Sequence, residues 1–138
     1  MKLNNKGFSL IEILAVIIII GVIATIAAPS IQEFVGSGKL STFIAYEDSM
    51  EDAATNAVLD CIANNSSRCD IPEKGNTSKI FLNTLIEDGF IENIKDPSGG
   101  NCDVNKSFVR VENRGNLNYK FKVCLYCDSY TTDNELCE

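Results

Sequence analysis

An apolar run from Phe8 to Ala28 constrains this chain more than any other feature, since only Ser9, Glu12 and Thr25 in it carry polar side chains. A run of that length is long enough to cross a bilayer as a helix. Its length, with Lys2 and Lys6 ahead of it, argues against a buried soluble helix. A secretory signal peptide fits no better. The core is too long for one, Glu12 would spoil it, and the small-residue pair Ala27-Ala28 is followed by Pro29. A carboxylate inside such a helix costs about 2–3 kcal/mol of insertion energy. A segment that served only as an anchor would not carry Glu12.

The order Lys6-Gly7-Phe8-Ser9-Leu10-Ile11-Glu12, followed by uninterrupted apolar helix, resembles the N-terminus of type IV pilins and their relatives. These include the pseudopilins of type II secretion and the competence pilins. The likeness is strong over residues 6–31 and weaker beyond. It implies that a membrane-embedded peptidase cuts between Gly7 and Phe8 and methylates the new amino terminus of Phe8. Glu12 then matches the family's assembly glutamate. The resemblance pairs its carboxylate with the amino terminus of a neighbouring subunit, while Leu10 to Ile26 leave lipid for a bundle of identical helices. Gly21 and Pro29 fall where the family places a glycine and a proline, implying soft points in the stem helix.

The chain has 138 residues, enough for one small domain and a stem. The organisation expected is a leader over 1–7, a long helix over 8–62 with 8–29 as its transmembrane and assembly part, and a disulfide-stabilised head over 63–138. The formal charge is −7, and removal of Lys2 and Lys6 with the leader makes it −9. No strong nucleic-acid binding is expected of so acidic a chain, because that affinity rests on Lys and Arg neutralising phosphates. Arg110, Arg114, Lys120 and Lys122 are nevertheless close enough in sequence to form a local basic patch.

No enzyme can be assembled from these residues. The chain has no histidine, the commonest general base. It has no nucleophile elbow and no phosphate-binding glycine loop, and no cofactor is expected. Asp128, Asp133 and Glu135 match no EF-hand spacing and read as a solvated acidic tail, with no metal.

Beyond Pro29 the pattern turns amphipathic. Phe43, Tyr46, Met50, Ala53, Ala57 and Cys61 recur at steps of three and four, drawing one apolar stripe for the head to pack on. Gly36-Ser37-Gly38 is either a soft spot or a break. If the helix runs through it to Ile62, it is about 80 Å long. Pro29 predicts a bend or weak turn near residues 25–29.

After Asn64-Asn65-Ser66-Ser67 the chain reads as loop. Thr77 or Ser78 is predicted to cap a short helix carrying Phe81, Leu82, Leu85 and Ile86, with Gly89 just past its end. The stretch Gly89 to Pro97 resembles the family's turn into its sheet. Two strands follow, Phe108–Glu112 and Tyr119–Cys127. Val109 and Val111 lie on one face of the first, and Tyr119, Phe121, Val123, Leu125 and Cys127 on one face of the second; the cysteine pairing below takes the two faces to be the same. Asn113-Arg114-Gly115-Asn116 reads as the turn between them, though not a two-residue one.

Six cysteines all lie after the apolar run and point to disulfides in an exported head. Cys124-Leu125-Tyr126-Cys127 is a lone CxxC, too little for zinc without histidine. Cys61 and Cys69 bracket one loop and are paired. Parity along an extended chain puts Cys102 on the face of Cys124, which leaves Cys127 with Cys137. Cys102 with Cys127 is the rival pairing, since a slip of one residue reverses every facing.

The reading is an α+β, type IV pilin-like chain: a long N-terminal helix on a small antiparallel sheet with disulfides. Its function is that of a filament subunit, a homo-polymer through its N-terminal helices. Its partners are a prepilin peptidase and an assembly machinery. It resides first in the bacterial cytoplasmic membrane and then in an extracellular surface filament. The alternatives are a pseudopilin of a secretion or DNA-uptake machine, and a membrane-anchored binding domain that never polymerises.

Overall fold

The structure, a computed structural model, describes residues 7–64, 70–133 and 135–137, with side chains other than those of residues 26–35 and Leu136. Of the expected leader only Gly7 falls among them. The chain forms two units, Met1–Gly38 and Lys39–Glu138. Helix α1 (Leu10–Asn64) contributes to both.

In the first unit α1 begins after Gly7, Phe8 and Ser9, and it is helical through Gly21 and Pro29. A proline deletes one intrahelical donor, and here that loss does not end the helix. Neither does Gly36-Ser37-Gly38, which stays helical, although the boundary between the units falls there. Among the described residues no helix is long and apolar enough to cross a membrane.

The second unit is the head. The α1 stripe expected from the sequence is its floor: Phe43, Met50, Ala53 and Ala57 are buried, with Tyr46 packed beside them. Ala54 and Val58 widen the stripe. Alanines at three of these positions leave room for close packing, and the large side chains supply most of the burial energy. Met50, Leu82, Leu85, Val109 and Leu125 are essentially inaccessible, each worth about 1.5–3 kcal/mol.

Three antiparallel strands lie in the order β1-β2-β3: β1 (Thr77–Phe81), β2 (Phe108–Gly115) and β3 (Asn118–Cys124). The two-strand expectation thus misses β1. Thr77 and Ser78 do not cap a helix; they pair with Glu112 and Val111. Helix α2 (Leu82–Glu87) starts immediately after β1, and Phe81 at its N-cap makes no side-chain cap bond. Its first amides are satisfied from elsewhere: Leu82 N–H donates to Ser107 O and Asn83 N–H to Val104 O, both at 2.9 Å. A tertiary cap of this kind leaves no trace in the local sequence. The helix end is as expected. Gly89 has φ +78, and its N–H and that of Phe90 return to Ile86 O and Leu85 O, as a glycine-terminated helix requires.

The hairpin register pairs Val109 with Val123 and Val111 with Phe121, so the expected inward face is correct there. Its turn is not. Gly115 pairs with Asn118 across a two-residue loop, Asn116-Leu117, with a bulge between Asn113 and Gly115. The turn is tight after all and lies further along the chain. Gly115 itself has φ +88, and a Cβ there would lie 2.7 Å from Lys74 Cε, so no other residue fits without rearrangement.

The disulfides correct two expected pairings. Cys102 bonds Cys127, and Cys124 bonds Cys137, with Cα separations of 3.8 and 5.6 Å; neither Cys102–Cys124 nor Cys127–Cys137 forms. The parity count assumed extended chain from residue 102 to 108. Instead the Asp103 carboxylate accepts the N–H groups of Asn105 and Lys106, each at 3.0 Å, and Ser107 N–H returns to Asp103 O. That turn breaks the alternation. Strand β3 also ends at Cys124, so Cys127 belongs to a separate bridge opposite Cys102. Cys61 is disulfide-bonded, but the expected Cys61–Cys69 pair falls on Cys69, outside the described residues.

Candidate functional site

Gly7, Phe8 and Ser9 are non-helical, and every side chain from Phe8 to Thr25 is exposed. A Cβ at Gly7 would meet nothing within 4 Å, so its glycine is not demanded by packing. Phe8 is 77% exposed. The helix begins on the carbonyl of Ser9, which accepts Glu12 N–H at 3.0 Å and Ile13 N–H at 3.2 Å. Glu12 lies in the first turn of α1, where unpaired backbone N–H groups favour a negative charge. Ile11, Ile13, Leu14 and Val16 around it are all exposed. The arrangement is a lone carboxylate at the start of a helix that is apolar on every side. Such a surface must be covered by lipid or by other apolar helices.

The sequence singles out Gly7, Phe8 and Glu12 together, and the structure brings them within one turn of the helix start. Gly21 lies further along the same unit, with open space where a Cβ would stand. Pro29 lies in the helical backbone.

In the head, a clamp joins the C-terminal segment to α1. Tyr130 stacks on Phe43 with ring centroids 4.4 Å apart. The Glu47 carboxylate accepts the hydroxyls of Tyr130 at 3.0 Å and Thr132 at 2.5 Å. Burial, then the hydrogen bond to Glu47 and its charge, push the Tyr130 phenol above its ordinary value. A second clamp centres on Asp96, a buried carboxylate. It accepts Ser129 N–H and Ser98 N–H, each at 2.7 Å, and the Ser129 hydroxyl, 2.7 Å from Oδ2. The Ser129 hydroxyl, with those amides, holds its pKa below the usual carboxylate range against the opposing effect of burial.

Asp128 is occupied with backbone, its Oδ2 accepting Asn101 N–H at 2.8 Å. Among the described residues no group of acidic or cysteine side chains is placed to hold a metal ion. The basic patch foreseen in sequence gains a member: Lys79, Arg110 and Lys122 stand in register on the three strands, and Lys120 stands opposite Glu112. Sequence spacing alone could not show Lys79, because its strand was not foreseen.

Residues 2–28 match the family model described as the prokaryotic N-terminal methylation motif. The chain is 38% identical over 60 residues to the type IV major fimbrial protein FimA of Dichelobacter nodosus, covering 44% of this chain and 38% of that one. It is 28% identical over 117 residues to the type IV major pilin protein PilE of Neisseria gonorrhoeae, covering 83% and 65% respectively. A fimbrial protein of Pseudomonas aeruginosa is 34% identical over 56 residues, covering 41% of this chain and 36% of that protein. The chain thus spans less than two thirds of the length of these relatives. No solved structure matches it. The N-terminal segment thus carries the methylation motif, and the chain is similar to type IV pilins and fimbrial proteins over part of their length.

Proposed function

We propose that this chain is a structural subunit of a type IV pilus-like surface filament, not an enzyme. After cleavage between Gly7 and Phe8 it polymerises through its N-terminal helix. The observation that carries this reading is Glu12 in the first turn of a helix whose every described side chain to Thr25 is exposed. Before assembly the apolar surface is covered by the cytoplasmic membrane, with residues 8–29 as the spanning and assembly part. In the filament it is covered by copies of itself. Glu12 in that low-dielectric setting needs a positive partner or a proton, and the amine freed at Phe8 on a neighbouring copy is such a partner. Gly21 and Pro29 are where the helix loosens as it packs.

A prepilin peptidase supplies the cut and the methyl group, and an assembly machine the work of extraction. A pseudopilin would share all of this chemistry and differ in the machine that it serves. The test is the intact mass of surface-extracted protein. It should correspond to loss of residues 1–7 plus one methyl group, in material that sediments as filaments. A mature start at Pro29 would overturn the pilin reading.

A further inference from the structure

We infer that residues 126–132 are a redox-sensitive strap, which holds residues 43–47 of α1 in the head only while the Cys102–Cys127 disulfide is closed. The strap is rooted at Leu125, which is fully buried in the core. From there the chain doubles back. Cys127 N–H donates to Tyr130 O at 2.7 Å, and Thr132 N–H donates to Leu125 O at 3.0 Å. Leu125 N–H in turn donates to the Thr132 hydroxyl at 2.9 Å. These bonds make the turn a single piece. Its outer end carries the clamp on α1: the Tyr130 ring stacks on Phe43, and the Tyr130 and Thr132 hydroxyls donate to Glu47. Among the described residues Tyr130 is the only aromatic ring from outside α1 that meets Phe43, which is 3% exposed. The next turns of α1 have other support. Met50, Ala53 and Ala57 share the core with Leu82 and Leu85 of α2 and Val109 of β2.

Away from α1, the strap is tied to one loop, residues 96–103. Asp103 N–H donates to Tyr126 O at 2.8 Å and Asp128 N–H to Asn101 O at 3.0 Å. Ser129 donates its N–H and its hydroxyl to Asp96, and Cys127 is bonded to Cys102. Only the last of these ties is covalent. Each hydrogen bond trades against one with water and adds little by itself, so loss of the bridge lets this small unit open as one. The Cys124–Cys137 bridge brackets the strap from outside, before its root and after its end, and fastens it to nothing. Cys102 is buried and Cys127 half-buried, so a reductant reaches the bridge from the Cys127 side. The reductant is of the dithiol class. Its thiolate attacks the Cys127 sulfur, and Cys102 leaves as a thiolate that takes up a proton. Its second thiol then closes the reagent's own disulfide and frees Cys127 as a thiol. The two electrons come from the reagent, and the reverse reaction closes the strap again.

The experiment is amide hydrogen exchange, read by mass spectrometry on the full chain in detergent micelles. The double variant Cys102→Ser, Cys127→Ser removes the one bridge and leaves the others. Peptides covering 43–47 and 126–132 should exchange about tenfold faster, the size expected for losing one or two hydrogen bonds. The peptide covering 50–57 should keep its protection. Unchanged exchange at 43–47 would overturn the proposal. So would an equal loss over 50–57, since the bridge would then hold the whole head and not a strap. Tyr130→Leu, with every bridge intact, should speed exchange at 43–47 while Cys102 and Cys127 stay closed to alkylation; slow exchange there would also overturn it. In the unaltered chain, dithiothreitol should speed exchange at 43–47 as Cys127 becomes open to alkylation, and re-oxidation should restore the slow rate. Failure to recover would mean damage and no switch. None of these readings depends on whether the chain forms filaments.

Discussion

Glu12 is one carboxylate among exposed aliphatic side chains, and its removal should help the membrane and harm the polymer. Glu12→Ala gains about 2–3 kcal/mol of insertion energy and loses the charge proposed to meet a neighbour's amine. The variant should be processed to the same extent and stay in the membrane, yet yield few or no filaments by electron microscopy. Normal yield would mean that the glutamate is incidental. Asp96 makes a prediction in the head. Its folded pKa lies below the ordinary 3.8, so its contribution to stability is complete above that value and lost as the pH falls below it. Urea midpoints should drop steeply there for the native chain and less so for Asp96→Asn. Tyr130 has the opposite sign: its pKa is raised above 10.0, so its contribution holds below that pH and fades as the pH climbs beyond. At this scale the sequence was informative where chemistry is scarce. Glu12 stood out because no other charged side chain lies between Phe8 and Ala28, whereas Asp96 is one of nineteen acidic residues and only folding selects it.

Among the elements, the parts read correctly are those whose signal is local. The α1 stripe shows helical periodicity, Gly89 ends α2 by its own conformation, and Val109 and Val111 alternate. The misread parts depend on contacts far along the chain. Strand β1 needs β2 as a partner 33 residues away, as at Ser78 and Val111; α2 needs carbonyls from residues 104 and 107. The bridges were misassigned because one turn at Asp103 shifts the facing of Cys102. Non-reducing peptide mapping should find Cys102 linked to Cys127 and Cys124 to Cys137. A Cys124–Cys137 double serine variant should lose about 2–4 kcal/mol, mainly through a freer unfolded chain, as read from its denaturation midpoint. The Tyr126 hydroxyl, which donates to Cys137 O at 2.7 Å, would hold the tail only partly.

For the whole molecule, the overlap of those two bridges matters in a way that stability does not capture. Cys127 lies inside the loop closed by Cys124–Cys137, and Cys124 lies inside the loop closed by Cys102–Cys127. A pull along the backbone therefore enters at Cys102, crosses to Cys127, steps back three residues to Cys124 and leaves through Cys137. Most of the chain between positions 102 and 137 never bears the load. The hidden slack is on the order of 100 Å per subunit, at roughly 3.4 Å for each extended residue. A chain stretched between its ends in an optical trap should lengthen by that amount when a reductant is added. With its bridges intact, the stretch from Cys102 to Cys137 is a short inextensible link: a tug can melt the sheet and still leave the strands of the hairpin tethered side by side, ready to close again when the force is released.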